Sequence, residues 1–466
     1  MLNGSCCKGG YAMAEWIIRG GSVAGPRGVE FADVAIEAGK ILAVGRDLNI
    51  TAERTIDASD LLVLPGIVDV HTHPVYLDDL ESLPITAAHG GITTVIHFAY
   101  AKPGDGLMDT IHRFREEAEA VSILDFGLHG GLFDPAHQSH EIPLAIDVGV
   151  TSHKMFMTYA KLGWMTDDYQ LMRTLDILGR VGGMGMVHAE NGLATDYLED
   201  KTNAAGEDPL DVFVATRPAI LEAEAIHRAI AMAQVAGCSL YIPHMTAQLG
   251  LEVLGRARAL GYRVFAETCP QYLTLTEAAL REQGPLVKIG PPLRSESDRL
   301  ALWQGLATGL LDTIASDHAA KAKTRDDDFF AAAFGSPQAE TMLPLAYHGG
   351  VGGNRLSLKR LVQVMCENPA RIFGLYPQKG VIQPGSDADL VLFDPHANVQ
   401  ITQAAQHSNA SYTAYEGMSV CGAPVLSMQR GEILLENGEV HTDSRRGRFL
   451  RTKCGNATIA DLKSRQ

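Results

Sequence analysis

The chain has 466 residues, 46% of them hydrophobic and 20% charged, with a formal net charge of −16. That length holds roughly two to four average domains, or one large α/β barrel with an accessory module, and the composition is that of a globular protein with a substantial core. The acidic balance argues against nucleic acid or an anionic membrane surface as the main partner. No apolar run approaches the length that spans a bilayer, which predicts a soluble chain.

Residues 1–13 carry Cys6, Cys7 and small residues without a charged region leading into an apolar one, and they read as a disordered extension or an early start ahead of Met13. From 14 to 63, short apolar runs such as Trp16-Ile-Ile-Arg, Ala35-Ile-Glu-Ala and Lys40-Ile-Leu-Ala-Val alternate with glycines and polar residues, the grammar of strands and hairpins. Residues 64–377 alternate differently. Eight apolar strand candidates begin near Leu64, Thr93, Ile123, Thr151, Gly185, Ser239, Arg263 and Leu311. Helical periodicity fills intervals such as 106–121, 169–182, 221–236 and 249–260. Strands and helices alternating over about 250 residues predict a (β/α)8 TIM barrel. The gap from Asn191 to Ser239 opens with polar residues and is expected to hold an inserted loop. Strand grammar returns over 378–443, so the two β-rich ends are expected to build one small β-sandwich. Residues 444–466 form a tail whose Arg445, Arg446, Arg448, Arg451 and Lys453 suit a solvated end or a subunit contact. The seven cysteines include no CxxC pair, which fits a reducing cytoplasm and leaves metal binding to histidine and oxygen donors.

Five islands, each at the end of an apolar run, carry the chemistry. Alternation in Ile67-Val-Asp-Val-His-Thr-His puts His71 and His73 on one face of a strand. Lys154 ends the run Val148-Gly-Val-Thr-Ser-His-Lys. A lysine pointing into a barrel is disfavoured by desolvation. Either it snorkels to solvent, or carbon dioxide converts the amine to a carbamate whose two oxygens can bridge two metals. His188 and His244 each follow a short apolar run, and singly each could be a hydrogen-bonded core histidine. Asp317, in Thr313-Ile-Ala-Ser-Asp-His, offers a carboxylate that can bind metal and exchange a proton with metal-bound water. His318 and His153 have the opposite parity, while His97 and His129 read as core or rim residues. One closed ring of parallel strands brings all these strand ends to one rim. Four histidines, one carboxylate and one carbamate suffice for two divalent ions, with zinc favoured and manganese or another first-row metal possible.

The chain resembles the cyclic amidohydrolases, specifically the dihydropyrimidinase/hydantoinase branch, from about Trp16 to Phe449. The resemblance rests on Leu64-Pro-Gly-Ile-Val-Asp-Val-His-Thr-His, His153-Lys-Met-Phe-Met-Thr-Tyr, His188-Ala-Glu-Asn-Gly, Glu267-Thr-Cys-Pro-Gln-Tyr-Leu, Pro291-Pro-Leu-Arg, Ala315-Ser-Asp-His and Glu367-Asn-Pro-Ala-Arg-Ile-Phe-Gly-Leu. It implies a barrel with a β-sandwich, a binuclear centre and a homo-oligomer, a dimer or tetramer. It also implies that His71 and His73 hold the more buried metal, His188 and His244 the more exposed one, and carboxylated Lys154 (N6-carboxylysine) bridges them. Asp317 would be ligand and general base, and Tyr159 would hold the substrate carbonyl and its oxyanion. The implied reaction is ring opening of a dihydropyrimidine or 5-substituted hydantoin by a hydroxide shared between the metals.

Two positions depart from the family pattern. Gly290 stands where a serine is usual before Pro-Pro-Leu-Arg, and Phe334-Gly-Ser-Pro-Gln-Ala-Glu-Thr lacks the usual asparagine, for which Ser336 or Gln338 are the substitutes. Allantoinase or another cyclic-imide hydrolase is the runner-up. A dihydroorotase is disfavoured because Asp78 and Asp79, rather than an arginine, follow the two histidines. A non-catalytic dihydropyrimidinase-related scaffold is disfavoured because all six ligand positions are intact.

Overall fold

The computed structural model describes residues 13–26, 28–442, 447–454 and 462. The expected N-terminal extension (apart from Met13) lies outside the described residues, as do Arg445 and Arg446 of the tail cluster.

Eight parallel strands form one sheet in chain order: Ile67–Thr72, Ile92–Ala101, Asp125–Leu132, Ser152–Phe156, Met184–His188, Ser239–Ile242, Val264–Thr268 and Thr313–Ile314. The first and last meet through a parallel bridge between Thr72 and His318. Across that seam the His73 amide donates to the His318 carbonyl at 3.0 Å, and Asp69 accepts the Ser316 amide at 3.0 Å. Every residue of the first three strands is buried, as expected where a parallel sheet is covered on both faces. The TIM barrel read from the alternating pattern is therefore present, and its helices include Leu107–Val121, Asp168–Val181, Ala219–Val235 and Gln248–Ala259.

The interval 191–239 is not an irregular loop. It folds as three helices, Gly192–Ala205, Pro209–Thr216 and Ala219–Val235. Its polar residues are caps: the Asn191 side chain accepts from the Ala194 amide and Asp208 from the Leu210 amide.

Inside the barrel, Val68, Val70, Phe98, Met186, Tyr241 and Phe265 pack as one cluster. The first strand shifts register between Asp69 and Thr72 against its neighbour. That irregularity lets His71 and His73 follow the two valines to the interior, where strict alternation from Val68 would have turned them outward. His71 meets the Phe98 ring at 5.0 Å.

A separate, mostly antiparallel sheet of nine strands joins both ends of the chain. Its central strand, Leu62–Pro65, pairs parallel with Ala14–Gly25 and antiparallel with Leu390–Gln400. The expected boundary at 63/64 falls inside this strand, and Gly66 follows at the turn into the barrel, where a Cβ would collide with Thr93.

One buried cation locks the sheet module to the barrel. Lys379 Nζ donates to Asp125 of the third barrel strand at 2.6 Å and to Asp389 at 2.7 Å, with Asp387 at 3.0 Å. All four side chains are almost wholly buried, and the lysine's pKa is raised against burial by the three carboxylates. Removing the amine strips Asp389 of its ion-pair partner and leaves Asp125 to Arg430 and Asp387 to Lys40 alone. Lys379→Met is expected to destabilise the fold by about 3–5 kcal/mol, read as a lower midpoint in denaturant titration of the purified chain. An unchanged midpoint would show that the cluster holds nothing together.

Candidate metal centre

The strand ends bring five of the six expected ligands into direct mutual contact. His71 lies on the first strand and His73 one residue past its end. His188 closes the fifth strand, and His244 and Asp317 follow the sixth and eighth. The His71 and His73 rings are 5.0 Å apart, His71 and His244 5.4 Å, and His188 and His244 4.5 Å. Asp317 Oδ1 sits between the first pair, 3.1 Å from His71 Nε2 and 2.9 Å from His73 Nε2. The ligand atoms of His71, His73 and Asp317 all lie within 4.8 Å of one another. Lys154 completes the ring, its Nζ 3.5 Å from His244 Nε2 and over the faces of Phe98 and Phe156.

Backbone strain gathers at this rim. Tyr159, His244 and Asp317 have φ of 64°, 41° and 51°. These are left-handed conformations that non-glycine residues hold only when their surroundings fix them, and they concentrate at functional sites.

Carboxylates behind the histidines set which nitrogen faces the cavity. His71 Nδ1–H donates to Glu267 Oε1 at 2.6 Å, and the same oxygen accepts the His244 amide at 3.1 Å. His188 Nε2–H donates to Glu190 Oε2 at 2.7 Å, so its Nδ1 lone pair is the one left for a ligand; Arg217 lies 3.4 Å from that carboxylate. His73 Nδ1 accepts from Tyr100 Oη at 3.0 Å. Glu267 and Glu190 carried no role in the sequence reading. Both end apolar runs exactly as Asp317 does in kind, and only the fold shows that they orient ligands from behind.

Electrostatics mark the site as built for cations. Burial opposes charge on His71, yet Glu267 and Asp317 on either side raise its pKa to about 9. Burial lowers His73 to about 4, although it shares the same carboxylate. Both rings point at Asp317, which His71 and His73 hold well below the usual carboxylate range despite its burial. His71 Nε2 is buried and lies near Asp317 without hydrogen-bond geometry. Burial pulls the Lys154 ammonium down to about 8, against the pull of Asp317 and Glu267. It makes no ion pair among the described residues. A buried ring nitrogen aimed at a carboxylate, and an unpaired buried amine, fit divalent cations at this rim with N and O donors.

His318, set aside by parity, and His129 and His97, read as core or rim residues, have other partners. His318 Nε2–H donates to Asp78 at 2.8 Å and its Nδ1 accepts the Gln338 and Ala339 amides. His129 bonds Ser152 and the Val70 carbonyl, while His97 meets Thr72 Oγ1. Asp78 is held by His318, Ser408 and the Asn409 amide, and Asp79 caps the turn at Ser82. Neither lines the cleft.

A cleft of about 490 Å³ opens above the histidines, with Tyr76, Tyr100, Phe133, Trp164 and Phe334 among its walls. Tyr159 is in it, its ring 5.1 Å from His188. Gly290 is in it too, and a Cβ there would lie 2.9 Å from Tyr159 Oη and 3.0 Å from the Phe334 ring. A serine there, the residue the sequence resemblance leads one to expect, would crowd both the hydroxyl and the ring. Ser336 and Gln338 do not line the cleft. The Gln338 carboxamide accepts from Tyr415 Oη instead, so the expected substitution for the missing asparagine is not made by these side chains.

A parallel barrel whose strand ends carry imidazoles, a carboxylate and a buried lysine defines a metal-site hydrolase architecture. The amidohydrolase family model matches residues 62–434, and the chain belongs to that family. It is 37% identical over 454 residues to a D-hydantoinase of Ralstonia pickettii, covering 94% of this chain and 98% of that one. It is 35% identical to an L-hydantoinase of Paenarthrobacter aurescens, over 94% of this chain and 98% of the relative. A solved dihydropyrimidinase from Brevibacillus agri superposes with a TM-score of 0.90 at 34% identity, covering 95% of this chain and 99% of that one.

Glu267 fixes the tautomer and direction of His71, so Glu267→Gln is expected to weaken metal binding about 10–100-fold. Metal retained after dialysis against a chelator series measures it. Wild-type retention would show that Glu267 only packs.

Proposed function

We propose that this chain is a metal-dependent cyclic amidohydrolase that opens the ring amide of dihydropyrimidines or 5-substituted hydantoins. The observation that carries this reading is the convergence of four imidazoles and Asp317 around Lys154, a buried amine that makes no ion pair among the described residues. Carboxylation of Lys154 by carbon dioxide turns the misplaced cation into an anion with two oxygens. His71, His73 and Asp317 would hold one divalent ion, His188 and His244 the other, and Lys154 both. Zinc suits the donor set, with manganese or another first-row metal as the alternative. When bound, such ions supply a water activated at neutral pH and an electrophile for the carbonyl.

The chain's own groups handle the substrate and the proton. Tyr159 stays protonated, because burial pushes its pKa far up, so its O–H can donate to the carbonyl oxygen as negative charge develops there. Asp317 is ionised and accepts the proton of the attacking water at a carboxylate oxygen. It returns that proton to the ring nitrogen as the C–N bond breaks and the new C–O bond stands, giving an N-carbamoyl or amide acid. The aromatic walls exclude bulk water from this exchange.

The same family reading makes residues 14–63 and 378–443 one β module, 64–377 the catalytic barrel, and the chain a homo-oligomer, dimer or tetramer. Among the described residues no helix is long and apolar enough to cross a membrane. Scattered free cysteines suit a cytoplasmic setting.

Ring opening of dihydrouracil and of a 5-substituted hydantoin by zinc- or manganese-loaded enzyme tests the activity. Lys154→Ala is expected to lose both metal retention and turnover, and full activity in that variant would overturn the reading. Tyr159→Phe is expected to lower kcat by about 100–1,000-fold at unchanged metal content; wild-type kcat would remove Tyr159 from the oxyanion site.

A further inference from the structure

The cleft carries more cationic side chains than its own acids neutralise. Beyond Lys154 and Asp317 of the histidine rim, Lys161, Arg217, Lys288 and Lys321 line it, against Asp196 and Glu199. Lys161 is matched by Asp200 at 2.6 Å and Glu199 at 3.5 Å. Arg217 is matched by Glu190 at 3.4 Å and Glu199 at 3.9 Å. Lys288 is tied down differently, donating to the Phe330 and Ala332 carbonyls at 2.8 Å each.

Lys321 stands apart. Among the described residues its amine has no ion pair and no hydrogen bond; Nζ lies 2.9 Å above the centroid of the Tyr76 ring. Tyr76 in turn flanks His73, ring centroids 6.3 Å apart, at the end of the histidine row away from Tyr159 and His188. Lys321 is only four residues past Asp317 on the same loop, so its amine looks into the cleft beside the reaction centre. Burial lowers this ammonium to about 8, with no carboxylate close enough to raise it. Behind it, Lys323 donates only to the carbonyls of Leu286, Lys288 and Gly335, and it is pushed down by burial and by the charges of Lys288 and Lys321. Lys323 and Lys288 feel Asp327, Glu199 and Asp328, whereas no carboxylate acts on Lys321. A neutral ring substituent entering here would strip water from Lys321 and give nothing back. A substituent ending in an anion would pair it in a partly desolvated setting, where charge-assisted bonds are strong.

We propose that Lys321 is the recognition point for a carboxylate on the ring substituent, so that the preferred substrates are cyclic ureides with an acidic side chain. This names a substrate class for the activity proposed above and rests on it. Tyr76 forms the floor under the amine, and the lysines behind add to its positive field. The carboxylate is bound and not transformed, so it affects selection among rings and leaves the bond-breaking step as described.

The test compares 5-carboxymethylhydantoin with its neutral isostere, 5-carbamoylmethylhydantoin, on zinc- or manganese-loaded wild-type enzyme, Lys321→Met and Lys321→Arg. Wild type is expected to prefer the carboxylate in kcat/KM, and Lys321→Met to reduce the carboxylate-to-amide ratio by about 10–100-fold, chiefly through KM. Lys321→Arg, which keeps the charge, is expected to retain most of that ratio. A wild type without the preference, or a Lys321→Met ratio equal to wild type, overturns the carboxylate site while ring opening of neutral hydantoins keeps the hydrolase reading. Failure of wild type to open any hydantoin overturns the hydrolase reading, and the carboxylate site with it.

Discussion

A buried amine without a counter-ion is the constraint on which the rest of this structure turns. Lys154 stands inside the rim of a closed barrel, among four imidazoles, with aromatic faces on one side and His244 as its nearest polar atom. Burial alone disfavours its charge, and cations placed against the surrounding histidines would disfavour it further. Asp317 and Glu267 only partly offset this burial, and the proposed carboxylation would turn the lysine into an anion suited to cations held between the rings. The carboxylates behind the ligands belong to the same solution: Glu267 and Glu190 hold His71 and His188 with one nitrogen turned inward.

Much of this was legible in the chain. The start of each barrel strand and the four clearest helices follow from apolar runs and helical period, because a covered parallel strand has to be apolar throughout. The ligands were legible because each stands where such a run ends. The inward direction of His71 and His73 was not: parity from Val68 and Val70 predicts the opposite face, and a register shift against the neighbouring strand corrects it. The helices Gly192–Ala205 and Pro209–Thr216 were missed because asparagine and aspartate read as loop residues until their side chains are seen to cap. The anchoring of Asp78 was not legible either. Its partners His318, Ser408 and Asn409 lie more than 200 positions away, and no local pattern reports them.

Beside the proposed oxyanion group the cleft has an aromatic wall. Gly290 leaves room that the Phe334 ring takes, next to the Tyr159 hydroxyl. Phe334 also lies against two cations, with Lys288 Nζ 4.6 Å and the Arg217 guanidinium 5.0 Å from its ring centroid. All of these residues line the cleft above the histidines. Membership of the amidohydrolase family accounts for the barrel.

The central claim is that Lys154 and its neighbours hold a pair of cations. Metal content per chain, measured by mass spectrometry on enzyme reconstituted with zinc in bicarbonate buffer and freed of excess ion, tests this most directly. The account predicts two tightly held ions per chain. A folded chain that retains one ion, or none, contradicts it.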